Sequence, residues 1–233
     1  MAFDELKAAV YEANIALARS GLVLLTFGNV SAVDRAAGVI AIKPSGVDYD
    51  GMKPSDIVVV SLETGEVVEG VLRASSDTPT HLTLYRAFDS IGAVAHTHSS
   101  YASSWAQGLR KIPCFGTTHA DFCAGAIPVT RQLTKAEIDE DYEANTGKVI
   151  VECLTKSGLD PAATPAVLVA GHGPFVWGEN PSKAVENAVI LEEVAKMAFR
   201  TLAVNPDSAP LPQPLLDKHF QRKHGPGAYY GQK

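Results

Sequence analysis

Two histidines one residue apart, His96 and His98 in the stretch VAHTHSSY, carry the first chemical signal. They close a run fit for a buried strand, and side chains at i and i+2 of a strand point to one face. Two imidazoles can thus be aimed at one point while Thr97 faces away, a donor pair suited to a divalent metal. Taken alone, the pair leaves open a second, lesser reading, histidines simply hydrogen-bonded near the sheet end. His172, in AGHGPF, is a third candidate, because glycines on both sides remove Cβ bulk and let the backbone place the ring at the end of an apolar strand. Asp77, in SSDTPTH, is the fourth. Three nitrogens and a carboxylate are ligand types that Zn²⁺ accepts, with Mn²⁺ or Co²⁺ as substitutes, since affinity order alone does not select the metal. Such a site needs an open coordination position to be catalytic.

The elements that must position these groups follow from periodicity. Phe3, Leu6, Val10, Ala13 and Leu17 form one helical stripe over residues 3–20, and Gly21 is placed to stop it. NVSAVD and GVIAIKP, then DIVVVSLETGEVVEG with Thr64-Gly65 between apolar runs, predict antiparallel hairpins. Beyond them TPTHLTLYRAF has helical spacing, IGAVAHTH strand character, and SSYASSWAQG helical character with Ser99 or Ser100 as cap. TKAEIDEDYEANTGKVIVECLTKSG predicts a polar helix and PAVLVAGHGPFVWG an apolar strand. Asn180-Pro181 opens a long helix whose buried stripe is Val185, Ala188, Val189, Val194 and Met197. Residues 205–214 predict a short ordered linker before the tail. The sum is an α+β fold, a three-layer α/β/α sandwich with a central mixed, mostly antiparallel sheet flanked by helices.

Composition narrows the function classes. At 233 residues and 46% hydrophobic content the chain can bury one sizeable core, so one domain over 1–233 is expected. A net charge of −6 argues against nucleic acid or an anionic membrane as partner, and a phosphorylated ligand must be held by local groups. Cys114, Cys123 and Cys153 are odd in number, lack metal-type spacing, and read as reduced buried thiols. No stretch reaches the roughly 18 apolar residues of a span, and the first 21 residues lack a leader pattern. A cytoplasmic protein is expected.

The motifs GNVSAVD, KPSGVDY, SSDTPTH, HTHS, GTTHADF, GHGPF and AYYGQ resemble, in combination, the class II aldolase and epimerase superfamily, and within it the L-ribulose-5-phosphate 4-epimerase family. The resemblance runs from the first helix to the C-terminus. It implies epimerisation at C4 of L-ribulose 5-phosphate to D-xylulose 5-phosphate by retro-aldol cleavage and re-addition through a metal-stabilised enediolate. Direct deprotonation is poor chemistry, because the C4 hydrogen is not α to the C2 carbonyl. His96, His98 and His172 would be the metal's nitrogen ligands. Asp77 matches a carboxylate ligand of the epimerases, where related aldolases carry a glutamate. A class II aldolase of the fuculose or rhamnulose phosphate type is the alternative.

Inversion requires proton transfer on two sides of the rotating aldehyde. By resemblance the two groups are Asp121 and Tyr230, with the tail donated across a subunit boundary of a homotetramer. His219, Thr117 and Glu143 would support the site. Gly28, Asn29, Ser45, Gly46, Ser75 and Ser76, with Lys43, match phosphate-binding segments, where amides and hydroxyls ring the anion and lysine adds a point charge. One departure is Ala170-Gly171, which replaces a polar pair before His172 and bears on the groups behind the metal.

Overall fold

The N-terminal stripe forms α1 (Asp4–Arg19), with Val10, Ala13 and Leu17 buried and Gly21 beyond its end at φ +75°. In the computed structural model, which describes residues 3–231, two hairpins follow: β1 (Asn29–Asp34) with β2 (Val39–Ile42), and β3 (Val58–Ser61) with β4 (Val67–Glu69). The chain continues through α2 (Thr78–Ala87), β5 (Ala93–His96), α3 (Ser100–Gln107), α4 (Thr117–Ala120) and α5 (Lys135–Lys156). Then come β6 (Ala166–Leu168), β7 (Pro174–Gly178), α6 (Pro181–Val204) and α7 (Gln213–His224). The last residue of the AYYGQ motif, Gln232, lies outside the described residues.

The seven strands form one sheet in the order β4-β3-β2-β1-β5-β7-β6. Every named ladder among the described residues is antiparallel; the mixed character expected from sequence reduces to a single parallel bridge, Val129 to Leu168. Alternation along the strands divides the core into two layers. Val39, Ala41, Val59, Ala93, Ala95 and Val176 join the cluster with α1, α3 and α6, whereas Ile40, Ile42, Val58, Val60, Val94, Phe175 and Trp177 join that of α2 and α5. A three-layer sandwich follows.

Three local readings are corrected. The apolar run 165–178 is not one strand but the hairpin β6–β7, so His172 sits in its turn rather than at a strand end. On α6 the buried positions are Ala184, Val185, Asn187, Ala188, Leu191, Val194, Ala195 and Ala198, while Val189 and Met197 are each 43% exposed. The spacing 184, 188, 191, 195, 198 defines the packed face, and residues 189 and 197 each stand one position, about 100°, off it. Part of the proline-rich linker and the tail form α7, whose Leu216 packs on Cys114 and Ala120.

α2 and α5 cover the sheet face that carries the site. Thr134 and Glu137 form a capping box at the start of α5. The helix is interrupted at Asp141, just before Tyr142 and Glu143. Gly147 lies against Thr83 of α2, where an added Cβ would come within 2.6 Å of the Thr83 Cβ. A larger residue there would force the two helices to shift.

Candidate functional site

His96 is the last residue of β5 and is paired with Asn29 of β1 on one side and Phe175 of β7 on the other. The backbone leaves the strand after it. Thr97 turns into the protein and is buried, while His98 emerges exposed on the same side as His96. The two Nε2 atoms are 3.1 Å apart, and His172 Nε2 is 3.1 Å from that of His98. Gly173 permits this approach, since a Cβ there would meet the Thr97 carbonyl at 2.8 Å.

The rings are aimed by what holds their other nitrogen. His96 Nδ1 donates to the Pro174 carbonyl at 2.9 Å, which fixes the tautomer with its lone pair on Nε2, and its ring stacks on Phe175. His172 Nδ1 meets the Tyr142 hydroxyl at 3.2 Å. Burial, then the neighbouring His96 and His98, depress the His172 pKa to about 3 against the pull of Asp77; burial and His96 lower that of His98. Neutral imidazoles presenting crowded lone pairs are a cation's donor set, and their ligand atoms all lie within 4.8 Å of one another. Two nitrogens on one tetrahedral Zn²⁺, each at about 2.0–2.1 Å, stand about 3.3 Å apart, so the residues fit the group.

Asp77 precedes α2 and lines the same cleft, outside that group of three. Its Oδ2 accepts from Asn29 Nδ2 at 2.6 Å. Burial raises its pKa, but His96, His81, the Asn29 bond and His172 together hold it below the ordinary carboxylate value. Behind it, buried His81 contacts Ser31 Oγ through Nδ1 at 2.7 Å, and the same hydroxyl meets Tyr85 at 2.7 Å.

The small-residue segments converge on this cleft of about 410 Å³. Gly28, Asn29, Lys43, Ser45, Gly46, Ser75, Ser76 and Glu143 all line it with the histidines. Two hydrogen bonds, Ser45 N to Arg73 O at 2.9 Å and Ser75 N to Lys43 O at 3.0 Å, clamp the KPSG turn beside the serine pair. Lys43 is buried, donates to the Val47 carbonyl at 2.6 Å, and lies over the Tyr49 ring. Burial lowers its pKa to about 8 against the attraction of Asp48. An incoming dianion would hold it charged.

Thr117, Asp121, His219 and Tyr230 do not line that cleft; they gather at α4 and α7. Asp121 Oδ1 accepts from His219 Nδ1 at 3.0 Å and Arg222 Nε at 3.0 Å, and Oδ2 accepts from Arg222 Nη2 at 2.6 Å. The Arg222 guanidinium stands 4.8 Å from the Tyr230 ring centroid. Asp121 shares a cavity with Trp177 and Gly178, at the end of β7 away from Phe175 and His96. Three strand residues span about 10 Å, so the two clusters flank opposite ends of the sheet's centre.

Sequence reasoning missed Tyr142, Phe27 and Arg222. Tyr142 holds His172, and Phe27 lies 6.1 Å from the His98 ring. The one available signal was spacing: His219 and Arg222 are i and i+3 on a helix, hence on one face.

The family model described as class II aldolase and adducin N-terminal domain matches residues 8–199. An L-ribulose-5-phosphate 4-epimerase UlaF from Salmonella paratyphi C is 54% identical over 230 residues, covering 99% of this chain and 100% of the relative. Among solved structures, an L-fuculose 1-phosphate aldolase superposes with TM-score 0.79 at 27% identity, covering 94% of this chain and 95% of the other. The YgbL protein of Escherichia coli superposes with TM-score 0.72 at 24% identity, covering 94% and 99%, a likeness of fold.

Proposed function

We propose, from the premise that this chain belongs to the class II aldolase family, that it is an epimerase converting L-ribulose 5-phosphate to D-xylulose 5-phosphate by breaking and remaking the C3–C4 bond. The observation that carries this reading is the meeting in one cleft of three imidazole Nε2 atoms with Lys43, Ser45 and Ser75. That cleft suits a sugar phosphate, and a relative identical at 54% of positions is named for this epimerisation.

His96, His98 and His172 would hold a divalent cation, Zn²⁺ with Mn²⁺ or Co²⁺ as substitutes, with Asp77 at the same cleft. When bound, it supplies Lewis acidity where negative charge develops on the ketose oxygens. The chain's own groups do the rest. Gly28, Asn29, Ser45, Gly46, Ser75 and Ser76 ring the phosphate, and Lys43 neutralises it. The amides of Gly46 and Ser76 make no hydrogen bond among the described residues, which leaves them free to donate to the anion. Glu143, on the α5 wall, faces the sugar. Cleavage leaves an enediolate and glycolaldehyde phosphate; rotation of the aldehyde before re-addition inverts C4. Proton transfer at the C4 oxygen belongs to the Asp121 and Tyr230 positions, with Thr117 and His219 beside them.

Because those positions lie away from the histidine cleft within the chain, the site is completed by the tail cluster of a neighbouring copy. We accordingly read the enzyme as a single-domain, cytoplasmic homotetramer with sites between subunits. The test is incubation of the zinc-loaded protein with L-ribulose 5-phosphate, following D-xylulose 5-phosphate and free glycolaldehyde phosphate. Epimer without free aldehyde is the expected result. Accumulated aldehyde would favour the aldolase reading that the 0.79 superposition keeps in view, and neither product would overturn both.

A further inference from the structure

Three short segments that face the histidine cleft come from distant parts of the chain, and each is tied to the next. Asn29, at the start of β1, donates through Nδ2 to Ser75 Oγ at 3.2 Å. The Ser75 amide donates to the Lys43 carbonyl at 3.0 Å, and the Ser45 amide to that of Arg73 at 2.9 Å. The third side is closed by Tyr49, whose hydroxyl donates to the Gly28 carbonyl at 2.7 Å. The Gly28-Asn29, Lys43–Gly46 and Ser75-Ser76 turns are thereby fixed to one another in pairs. A triangle of ties resists hinging at every corner, whereas an open chain of two ties does not.

Tyr49 stands outside the cleft wall, buried in the apolar layer that includes Val10 and Met52. Burial pushes its pKa up, so the hydroxyl keeps its proton and stays a donor. Its acceptor has little room to move. Gly28 lies at φ +121°, and a Cβ there would meet Val23 Cγ1 at 2.9 Å and the His96 carbonyl at 3.0 Å. The Tyr49 ring has a second task. Lys43 Nζ lies 4.6 Å from its centroid while donating to the carbonyls of Val47 at 2.6 Å and Pro44 at 3.3 Å. An aromatic face attracts an ammonium most strongly where water is excluded, so the ring supports the charged form of a lysine that burial disfavours.

We propose that Tyr49 is a positioning residue for the substrate's phosphate group: its hydroxyl closes the ring of three segments, and its aromatic face carries the Lys43 ammonium. This deepens the reading of the cleft given above and rests on the phosphate part of it. The ties of Tyr49 run to Gly28 and Lys43 and not to the three imidazoles. Loosening them weakens a ligand held through its phosphate and spares one held through the cation.

The experiment titrates the zinc-loaded parent, Tyr49→Phe and Tyr49→Leu proteins by calorimetry with inorganic phosphate and, separately, with acetohydroxamate, a zinc chelator that carries no phosphate. Tyr49→Phe keeps the ring and loses the hydroxyl, so its phosphate Kd should rise about 5-fold or more while its acetohydroxamate Kd and zinc content stay within about twofold of the parent. Tyr49→Leu loses the ring as well and should weaken phosphate about threefold further; should it fail to fold, the isosteric Tyr49→Phe decides alone. With L-ribulose 5-phosphate, KM should rise in the same order and kcat should fall by less than KM rises. An unchanged phosphate Kd in Tyr49→Phe overturns the proposal, and this is also the result if phosphate binds at the zinc. Equal losses of phosphate and acetohydroxamate binding overturn it too, because Tyr49 then supports the cleft as a whole. If the parent binds no phosphate, the proposal and the phosphate reading of the cleft fall together. If the parent binds phosphate but makes no epimer, the functional reading falls alone, and the variants still decide the role of Tyr49.

Discussion

The two clusters are fixed by different means. The histidine cleft hangs from the centre of the sheet: His96 is clamped between two strands and stacked on Phe175, and the turns that face it are cross-tied through backbone hydrogen bonds. The Asp121 cluster stands on a four-residue helix and on α7, whose one fully buried side chain is Leu216. Such burial contributes about 1.5–3 kcal/mol, and the hydrogen bonds converging on Asp121 add to the order there. The first region gathers three imidazoles that could hold a cation. The second holds Asp121, His219 and Arg222 together in a polar lattice.

Substitutions should therefore separate metal binding from proton transfer. The largest effect is expected for His98→Ala, which removes an exposed ligand without opening the core. Zinc per subunit, measured by metal analysis, should fall from about one towards zero, and epimerisation should drop to background. Retained zinc would show that two histidines suffice and would break the division of labour. Next comes Tyr230→Phe, expected to slow kcat by about 10²–10⁴-fold at unchanged zinc content; loss of zinc would mean that the regions are not independent.

Each region also hides one histidine, and pH compares them. Burial, and then His96, lower the His81 pKa to about 3 against Asp77, while burial lowers that of His119 to about 4 against the Gly125 backbone. Both folded values lie below the unfolded value of about 6.5, so the unfolded chain takes up protons first. Stability is full above about pH 6.5 and declines as pH falls towards 4, by up to about 1.4 kcal/mol per pH unit for each histidine. Urea titrations of the parent and of His119→Gln should show the steeper slope in the parent. Equal slopes would mean that His119 is protonated in the folded state.

The smallest effect concerns α3, the helix that follows His98. Its first amides are capped not by the side chain of Ser99 or Ser100 but by Glu192 of α6, which accepts from Tyr101 N at 2.8 Å and Ala102 N at 2.9 Å. Glu192→Ala should cost about 1 kcal/mol by denaturant titration. A loss of zinc affinity as well would show that the cap reaches the cleft.

The legible parts of the molecule were those governed by local rules. Strand alternation, the Asn180-Pro181 start of α6 and the capping positions are properties of neighbours in sequence. That His96, His98 and His172 come together was legible because alternation puts the first two on one face and glycines flank the third. What escaped depends on distant partners. PAVLVAGHGPFVWG is apolar on both faces of a covered sheet, so hydropathy alone could not show that it reverses direction at His172. Glu192 caps a helix 90 positions upstream, and Arg222 grips a carboxylate 101 positions away. Val189 and Met197 misled because an apolar residue on a long helix need not face the core.

The contact of Gly147 with Thr83 has a consequence for the shape of the cleft. α2 begins beside Asp77 and α5 carries Tyr142 and Glu143, so the crossing between them sets how far apart the two walls stand. A single methyl at position 147 would act as a wedge, driving the walls apart without touching any group that meets the sugar. The bore of the site is thus gauged from outside it, by the thickness of a hydrogen atom.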